Sequence, residues 1–202
     1  TCKRLSTPHD PAEAVLAGLA LLRKTWGVNR EQQGDDAARF AEIVHGSTVA
    51  TNALLERKGA RTAFVATAGF RDLLAIGRQN RSQLYDFFAD RPEPLAPASL
   101  CFEVDERVDR HGQVLRPLDP AALARLAQEL RLAGVESVAV CLLFSFANAS
   151  HERRVGDALC QAGLLASLSS EILPEFREYE RASTTAINAY VSPVLDRYIG
   201  RL

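Results

Sequence analysis

The sequence of 202 residues has no methionine, one tryptophan and only four cysteines. The cysteines, Cys2, Cys101, Cys141 and Cys160, are far apart, with no CxxC pair and no histidine at zinc-ligand spacing. This scatter argues against a disulfide framework and against a metal site, and it favours reduced thiols in a cytoplasmic protein. The absence of methionine and the opening TCKRLSTPHDP predict that the chain is part of a longer polypeptide.

The sequence also lacks an excess of charge of either sign and any long apolar run. Lys and Arg number 24, Asp and Glu number 25, and the formal net charge is -1. We therefore predict no nucleic-acid partner. No apolar stretch approaches the roughly 20 residues that cross a bilayer, and no leader opens the chain, so we predict no membrane partner. With 47% hydrophobic residues, the composition is that of a globular protein with one sizeable domain or two small ones.

Three segments of the first half have the order of a βαβ unit. Residues 40–46 (FAEIVHG) predict a short strand that ends near His45. Residues 47–58 predict a helix that Gly59 ends, and residues 61–67 (RTAFVAT) predict a buried strand. This order is typical of a parallel sheet, and so of an α/β fold.

Prolines mark a transition near the middle of the chain. RPEPLAP, residues 91–97, holds three prolines in seven positions, which suits neither a helix nor the interior of a sheet. Beyond it, residues 101–109 and 113–119 predict the two strands of a hairpin that turns at residues 110–112.

A second α/β unit is predicted for residues 119–170. Its predicted elements are a helix from Asp119 to Gly134, a strand at residues 137–146 covered on both faces, a helix from about His151 to Ala162 and a strand at residues 166–170. A long helix follows from Arg177, and Pro193 should kink or interrupt it.

Hydrogen-bonding groups crowd the start of the helix predicted at residues 47–58. The first N–H groups of a helix have no partner within it, so they favour an anion or a polarised oxygen. The alternative is that Ser47 or Thr48 only caps the helix while Asn52 satisfies a loop. The candidate ligand-facing residues of this stretch are His45, Gly46, Ser47, Thr48, Thr51 and Asn52.

A second candidate group lies in residues 174–190. Glu178, Arg181, Thr185 and Asn188 are spaced three, four and three residues apart, so they share one face of the long helix. A solvated, salt-bridged face would explain them. Because Thr and Asn are poor helix formers for an exposed stripe, we favour a buried polar or substrate-facing surface.

Polar residues also cluster in GRQNRS, residues 77–82. Arg78 or Arg81 could clamp a carboxylate through two hydrogen bonds, and Asn80 could add a donor, although a plain surface loop has the same composition. The sequence contains no GxSxG, GxGxxG or GxxxxGK motif.

Three stretches of the chain resemble one known family. They are HGSTVATNALLERKGARTAFVATAGFRDLLAIGRQNR at residues 45–81, ESVAVCLLFSFANASHERRVG at residues 136–156 and LPEFREYERASTTAINAYVSPVLDRYI at residues 173–199. In order and spacing they are similar to the hydantoinase A and 5-oxoprolinase family, which includes the large subunits of acetone and acetophenone carboxylases. Ser47 stands where that family would have threonine, and the hydroxyl is kept.

The resemblance implies a fragment of an actin-like ATPase (ribonuclease H-like) domain with an inserted α/β subdomain. Residues 1–90 would form part of the N-terminal lobe, residues 91–175 the insertion, and residues 176–202 a long helix that returns to the lobe. The implied reaction uses ATP and Mg²⁺ to phosphorylate the ring carbonyl of a cyclic amide, which water then opens. Such chemistry needs hydrogen-bond donors around the reacting oxygen.

The resemblance also suggests roles for the candidate residues, which we expect to share one cavity. The catalytic candidates are His45, Thr48, Asn52 and Glu178, and the substrate-binding candidates are Gly46, Ser47, Thr51, Arg78, Asn80, Arg181, Thr185 and Asn188. His45 could donate to an oxyanion or move a proton, or its ring could simply satisfy the end of a strand.

The glycine-rich phosphate loops of that family are absent from this chain, so we expect it to bind no ATP and no metal by itself. The longer protein is expected to act with a B-type hydantoinase subunit, or a fused C-terminal half, and to form oligomers. Two alternatives stay open at this point. The longer protein could be an ATP-dependent ketone carboxylase subunit, or this segment could be a non-catalytic domain for subunit interaction.

Overall fold

The computed structural model describes residues 2–7, 10–28, 44–79, 85 and 93–202. The strands in these ranges are β1 (Thr62–Thr67), β2 (Cys101–Val104), β3 (Arg107–Val108), β4 (Val114–Arg116), β5 (Ser137–Cys141) and β6 (Leu165–Leu168). The helices are α1 (Pro11–Val28), α2 (Val49–Leu55), α3 (Leu73–Ile76), α4 (Pro120–Leu132), α5 (Ser150–Gln161), α6 (Ser169–Ile172) and α7 (Glu178–Ile199). A 3-10 turn, Ala98–Leu100, precedes β2.

Four of the strands form one parallel sheet in the order β2-β1-β5-β6. Every residue of β1 and of β5 is buried, because helices cover both faces of the sheet at these two strands. Strands covered on both faces are apolar almost throughout, which explains the sequences TAFVAT and SVAVC.

Helices pack on the two faces of the sheet in different ways. On one face, leucines of α4 and the α5 residues Val155 and Leu159 contact the β5 valines Val138 and Val140. On the other face, α7 places Ala182, Ala186 and Ala189 against β1 and β5. Because alanine is small, the backbone of α7 can lie close to the sheet.

Several element predictions are confirmed. The helix predicted from Asp119 is α4, and Asp119 caps it by accepting a hydrogen bond of 3.0 Å from Ala121 N. The strand predicted at residues 61–67 is β1, and the helix predicted from His151 is α5. The hairpin turn at residues 110–112 joins β3 to β4, with Gly112 at φ 78°.

Other element predictions are wrong or only partly right. Residues 101–104 form β2, which pairs in parallel with β1 and not within the hairpin. The strand at 137–146 stops at Cys141, and Ser169 and Ser170 begin α6 instead of ending a strand. The helix predicted at 47–58 is shortened to α2, and Pro193 does not interrupt α7. Val44 and His45 are not in a strand, and residues 40–43 lie outside the described ranges.

The sheet has a consequence for domain organisation. Its central strand β1 comes from the range 1–90, whereas β2, β5 and β6 come from the range 91–175. One sheet therefore joins two ranges that the sequence assigned to separate units, and those units stay a prediction. None of the described helices has the length and apolar character needed to span a membrane.

Candidate functional site

The first candidate group lies beside the carboxyl end of α7. His45 is exposed, and its Nε2 lies 2.6 Å from the hydroxyl of Tyr198 in a hydrogen bond, with the ring centroids 5.7 Å apart. Gly59, after α2, packs so tightly on α7 that a Cβ there would clash with the ring of Tyr190. These contacts hold the segment from His45 to Gly59 against the second half of α7.

The start of α2 is only partly capped. Ser47 Oγ accepts a hydrogen bond of 3.2 Å from Val49 N, whereas Thr48, the residue before the helix, makes no side-chain cap. Gly46, Thr51 and Asn52 are exposed. The capping interpretation therefore holds for Ser47, and Thr48 and Asn52 are left facing outward.

Asn52 lines a cleft of about 510 Å³ between α2 and α7. Three cations near this cleft are each paired with an acid: Lys58 with Glu56 at 2.7 Å, Arg201 with Asp10 at 2.8 Å, and Arg197 with Glu136 at 3.7 Å. The hydrogen bond to Glu56 raises the pKa of Lys58. The cations are thus engaged within the protein.

The second candidate group starts at the other end of α7. Arg181 is fully buried: its Nη2 donates to Leu142 O at 2.7 Å, its Nη1 to Glu175 O at 3.0 Å and its Nε to Cys141 Sγ at 3.4 Å. Its guanidinium also lies 5.2 Å from the centre of the Phe146 ring. Arg181 therefore holds the segment after β5, and the buried polar interpretation of this helix face is the one that the structure supports.

The remaining candidates, including those of residues 77–82, have separate partners. Thr185 is buried and donates to Arg181 O at 2.7 Å, and Asn188 donates to Ser167 Oγ at 2.9 Å. Arg78 Nε donates to Glu180 Oε1 at 2.8 Å near the surface. The backbone hydrogen bond to the Glu180 carboxylate, together with Arg78, lowers the pKa of Glu180. Glu178 is half-buried in the first turn of α7, and Asn80 lies outside the described residues.

The structure does not bring the two candidate groups together, so the expectation of one shared cavity is wrong. His45 contacts Tyr198, which follows Glu178 by 20 residues in the same helix. At about 1.5 Å per residue, these positions are about 30 Å apart along the axis. Sequence spacing placed each group on a helix but could not show that α7 separates them.

The two groups lie at opposite edges of the sheet. Arg181 contacts the residues that follow β5, at the carboxyl edge, whereas α2 and Ala60 precede β1 at the amino edge. The strand order reverses between β1 and β5, because β2 lies on one side of β1 and β5 on the other. The helices that follow these strands, α3 and α5, pack on opposite faces. Open α/β sheets commonly bind ligands at the carboxyl edge where the order reverses.

A buried polar network at this carboxyl edge was missed by sequence reasoning. Glu106, 2% exposed, follows β2; its Oε1 accepts from the Thr67 hydroxyl at the end of β1, and its Oε2 lies 2.6 Å from His151 Nδ1. Thr67 Oγ1 in turn accepts from Leu143 N at 3.0 Å. The network thus joins the ends of three strands to α5.

Glu152 extends this network to β6. It is fully buried and accepts hydrogen bonds from Leu142 N at 2.8 Å, Ser169 Oγ at 2.6 Å and Ser170 N at 2.8 Å. The sequence contained a signal for the burial of Glu152. Glu152 precedes Val155 by three residues and Leu159 by seven, so it shares their buried face of α5. Between these anchors, Phe144 has φ 55°, which is unusual for a residue other than glycine.

Comparison with known proteins gives a consistent family. The model of the hydantoinase/oxoprolinase N-terminal region matches residues 1–163. Caprolactamase subunit alpha of Pseudomonas jessenii is 35% identical over 99% of this chain and 29% of its own length. 5-Oxoprolinase 1 of Arabidopsis thaliana is 37% identical over 76% of this chain and 14% of its own. Acetophenone carboxylase gamma subunit of Aromatoleum aromaticum is 30% identical over 96% of this chain and 28% of its own length.

Solved structures agree with these relatives. The ATP-dependent caprolactamase from Pseudomonas jessenii superposes with a TM-score of 0.82 at 33% identity, over 97% of this chain and 28% of that one. Nucleotide-free acetone carboxylase, at 24% identity and a TM-score of 0.80, shares the fold. The chain therefore spans less than a third of the length of these relatives. The family resemblance of the three stretches is confirmed: the chain belongs to the hydantoinase/oxoprolinase family and corresponds to its N-terminal region.

Proposed function

We propose that the longer protein containing this chain is an ATP-dependent hydrolase of cyclic amides. The similarity to caprolactamase carries this proposal, because 35% identity extends over 99% of the chain and the fold superposes with a TM-score of 0.82. In this proposal the ring carbonyl is phosphorylated and then hydrolysed. We also propose that the chain forms part of an actin-like ATPase domain.

The proposed substrate site is the carboxyl edge of the sheet. Reversal of the strand order between β1 and β5 favours this edge, and so does the unusual backbone of Phe144 beside it. Glu178, at the start of α7, is the proposed catalytic carboxylate. Arg181 and Thr185 act indirectly, because both are buried and bonded within the protein.

The cleft at the amino edge is the second candidate for the substrate site. Asn52 lines it, His45 and Tyr198 lie beside it, and its ion pairs suit a neutral polar ligand better than an anion. Since a small ring cannot reach both ends of α7, only one of the two places can hold the substrate. Substitutions at Asn52 and Glu178 therefore decide between them.

We propose that ATP and Mg²⁺ bind to the remainder of the longer protein. In the part of the chain that the structure describes, no group of three or more His, Cys, Asp or Glu side chains could hold a metal ion. We also propose that the longer protein works as an oligomer with a B-type subunit or a fused C-terminal half.

The test is an ATP-hydrolysis assay of the longer protein with its partner subunit. ATP turnover is measured with ε-caprolactam, 5-oxoproline or a hydantoin, and in parallel with acetone or acetophenone plus bicarbonate. We expect stimulation by a cyclic amide without bicarbonate. Glu178→Gln should then lower kcat by about 100-fold, the usual scale for losing an acid or base group, while Asn52→Ala changes it less than about threefold.

Each other result has a defined meaning. Turnover that requires both ketone and bicarbonate would establish the carboxylase alternative, which the similarity to acetophenone carboxylase gamma subunit supports. The reverse pattern of the two variants would move the substrate site to the amino-edge cleft. Unchanged turnover with weakened subunit assembly in both variants would favour a non-catalytic interaction domain. Gln128→Ala, at an exposed position of α4, is the matched control.

A further inference from the structure

The hydrogen bonds around Glu106 bear on which nitrogen of His151 can accept a hydrogen bond. Leu143 N–H donates to Thr67 Oγ1, so the hydroxyl hydrogen of Thr67 is free to donate to Glu106 Oε1. The second oxygen of Glu106 lies 2.6 Å from His151 Nδ1, and the donor and acceptor roles of this pair depend on the tautomer of the ring. In the neutral tautomer with its proton on Nδ1, that nitrogen donates to Glu106 and Nε2 is left as a hydrogen-bond acceptor.

The second ring nitrogen of His151 has no hydrogen-bond partner among the residues that the structure describes. His151 is 4% exposed, and its Nε2 forms no hydrogen bond with any residue in the described ranges. Within those ranges, Ser170 Oγ is the only fully enclosed side-chain N or O atom without a hydrogen bond. An acceptor that is held by a buried carboxylate and has no partner among the described residues can receive a donor from a ligand.

His151 lies at the edge of the sheet where α/β proteins commonly bind ligands. It lies in the first turn of α5, next to Glu152, and it bonds Glu106 at the carboxyl edge where the strand order reverses. The segment between β5 and α5 is anchored at Leu142 by both Glu152 and Arg181. The same segment contains Phe144 at φ 55°. Unusual backbone held by many anchors is found at binding and catalytic sites more than elsewhere.

We propose that His151 Nε2 accepts a hydrogen bond from the ring N–H of a cyclic amide bound at the carboxyl edge, with Glu106 as the residue that positions the imidazole. This inference rests on the proposed function and adds a determinant of its substrate class. A cyclic amide with a free N–H provides the donor that Nε2 requires. Its N-methyl derivative and a simple ketone do not.

The test compares binding of two ligands to the longer protein with its partner subunit. Without ATP, isothermal titration calorimetry measures Kd for the cyclic amide that supports turnover, and Kd for its N-methyl derivative. We expect the N-methyl derivative to bind about 10-fold more weakly, the effect of losing one hydrogen bond and leaving an acceptor unpaired. Equal Kd values in the unchanged protein would overturn the proposal.

Two substitutions at His151 complete the test. His151→Asn keeps a donor at the place of Nδ1 for Glu106 but has no acceptor at the place of Nε2. It should weaken binding of the cyclic amide about 10-fold and abolish the difference between the two ligands. His151→Gln places an amide oxygen near Nε2 and should recover part of the affinity. A His151→Asn protein that still prefers the unmethylated ring would contradict us and would make His151 a purely structural residue.

Controls separate the possible failures. His111→Asn, at an exposed position of the β3–β4 turn, should change neither Kd. Thermal unfolding of each variant shows whether it is folded, and the two-ligand comparison in the unchanged protein needs no variant at all. If no cyclic amide binds or is turned over, the proposed function fails, and this inference fails with it. If the amide is turned over but methylation does not matter, only the role of His151 fails.

Discussion

At the scale of single residues, two buried polar side chains from opposite faces of the sheet hold the backbone N–H and C=O of one residue, Leu142. Glu152 of α5 accepts from Leu142 N at 2.8 Å, and Arg181 of α7 donates to Leu142 O at 2.7 Å. A buried charge is costly unless it has hydrogen-bond partners, and both side chains have three. Removing either residue would leave polar backbone atoms of Leu142 unpaired at the carboxyl edge.

The cysteines give a prediction at the same scale. Burial raises the pKa of the Cys141 thiol although the guanidinium of Arg181 opposes this, and burial also raises the pKa of Cys101. A raised pKa means less of the reactive thiolate at a given pH. At about pH 8, where a free thiol with a pKa of about 8.5 is partly ionised, iodoacetamide should modify the exposed Cys160 much faster than Cys141 or Cys101.

Peptide mass spectrometry over a time course of labelling measures these rates. The denatured protein provides the control, because unfolding should make the rates of the cysteines similar. Comparable labelling of Cys141 and Cys160 in the folded protein would show that the segment after β5 opens readily. It would then contradict the anchoring of Leu142 described above.

At the scale of elements, α7 relies on small side chains. Ala182, Ala186 and Ala189 are at most 2% exposed and contact the face of the sheet formed by β1 and β5. Ala186→Leu should lower the free energy of unfolding by about 1–3 kcal/mol, because a tightly packed interface has no room for added methyl groups. Urea unfolding measures this. Thr184→Leu, at an exposed site two residues earlier, should change it by less than about 0.5 kcal/mol. An equal loss in both variants would contradict the tight packing of Ala186 on the sheet.

Local patterns predicted most of the elements but not their arrangement. The cap at Asp119 and the apolar run before Cys141 are short-range signals, so α4 and β5 were predictable. The pairing of β2 with β1 joins residues 101–104 to residues 64–67, and no local pattern encodes such a contact. The partners Glu106 and His151 are likewise 45 residues apart. The spacing in α7 predicted that Arg181 and Thr185 share one buried polar face. It did not predict which residues they contact.

At the scale of the whole molecule, β1 determines whether the chain can be divided. It pairs with β2 along Phe64–Thr67 and with β5 along Thr62–Ala66. In the described sheet β2 therefore pairs only with β1, whereas β5 pairs with β1 along one edge and with β6 along the other. A division near residue 91 would leave each of them with an unpaired edge in the middle of the sheet, and exposed strand edges promote aggregation.

The last prediction follows from this central position. A fragment of residues 93–202 retains β2, β5, β6 and α7 but lacks β1, so it should show no cooperative urea transition by circular dichroism. A fragment of residues 44–202 keeps α2, β1 and the whole described sheet, and it should unfold in one transition. Cooperative unfolding of the shorter fragment would support an independent unit at residues 91–175. It would also mean that β2 and β5 can form a stable structure without the strand that lies between them.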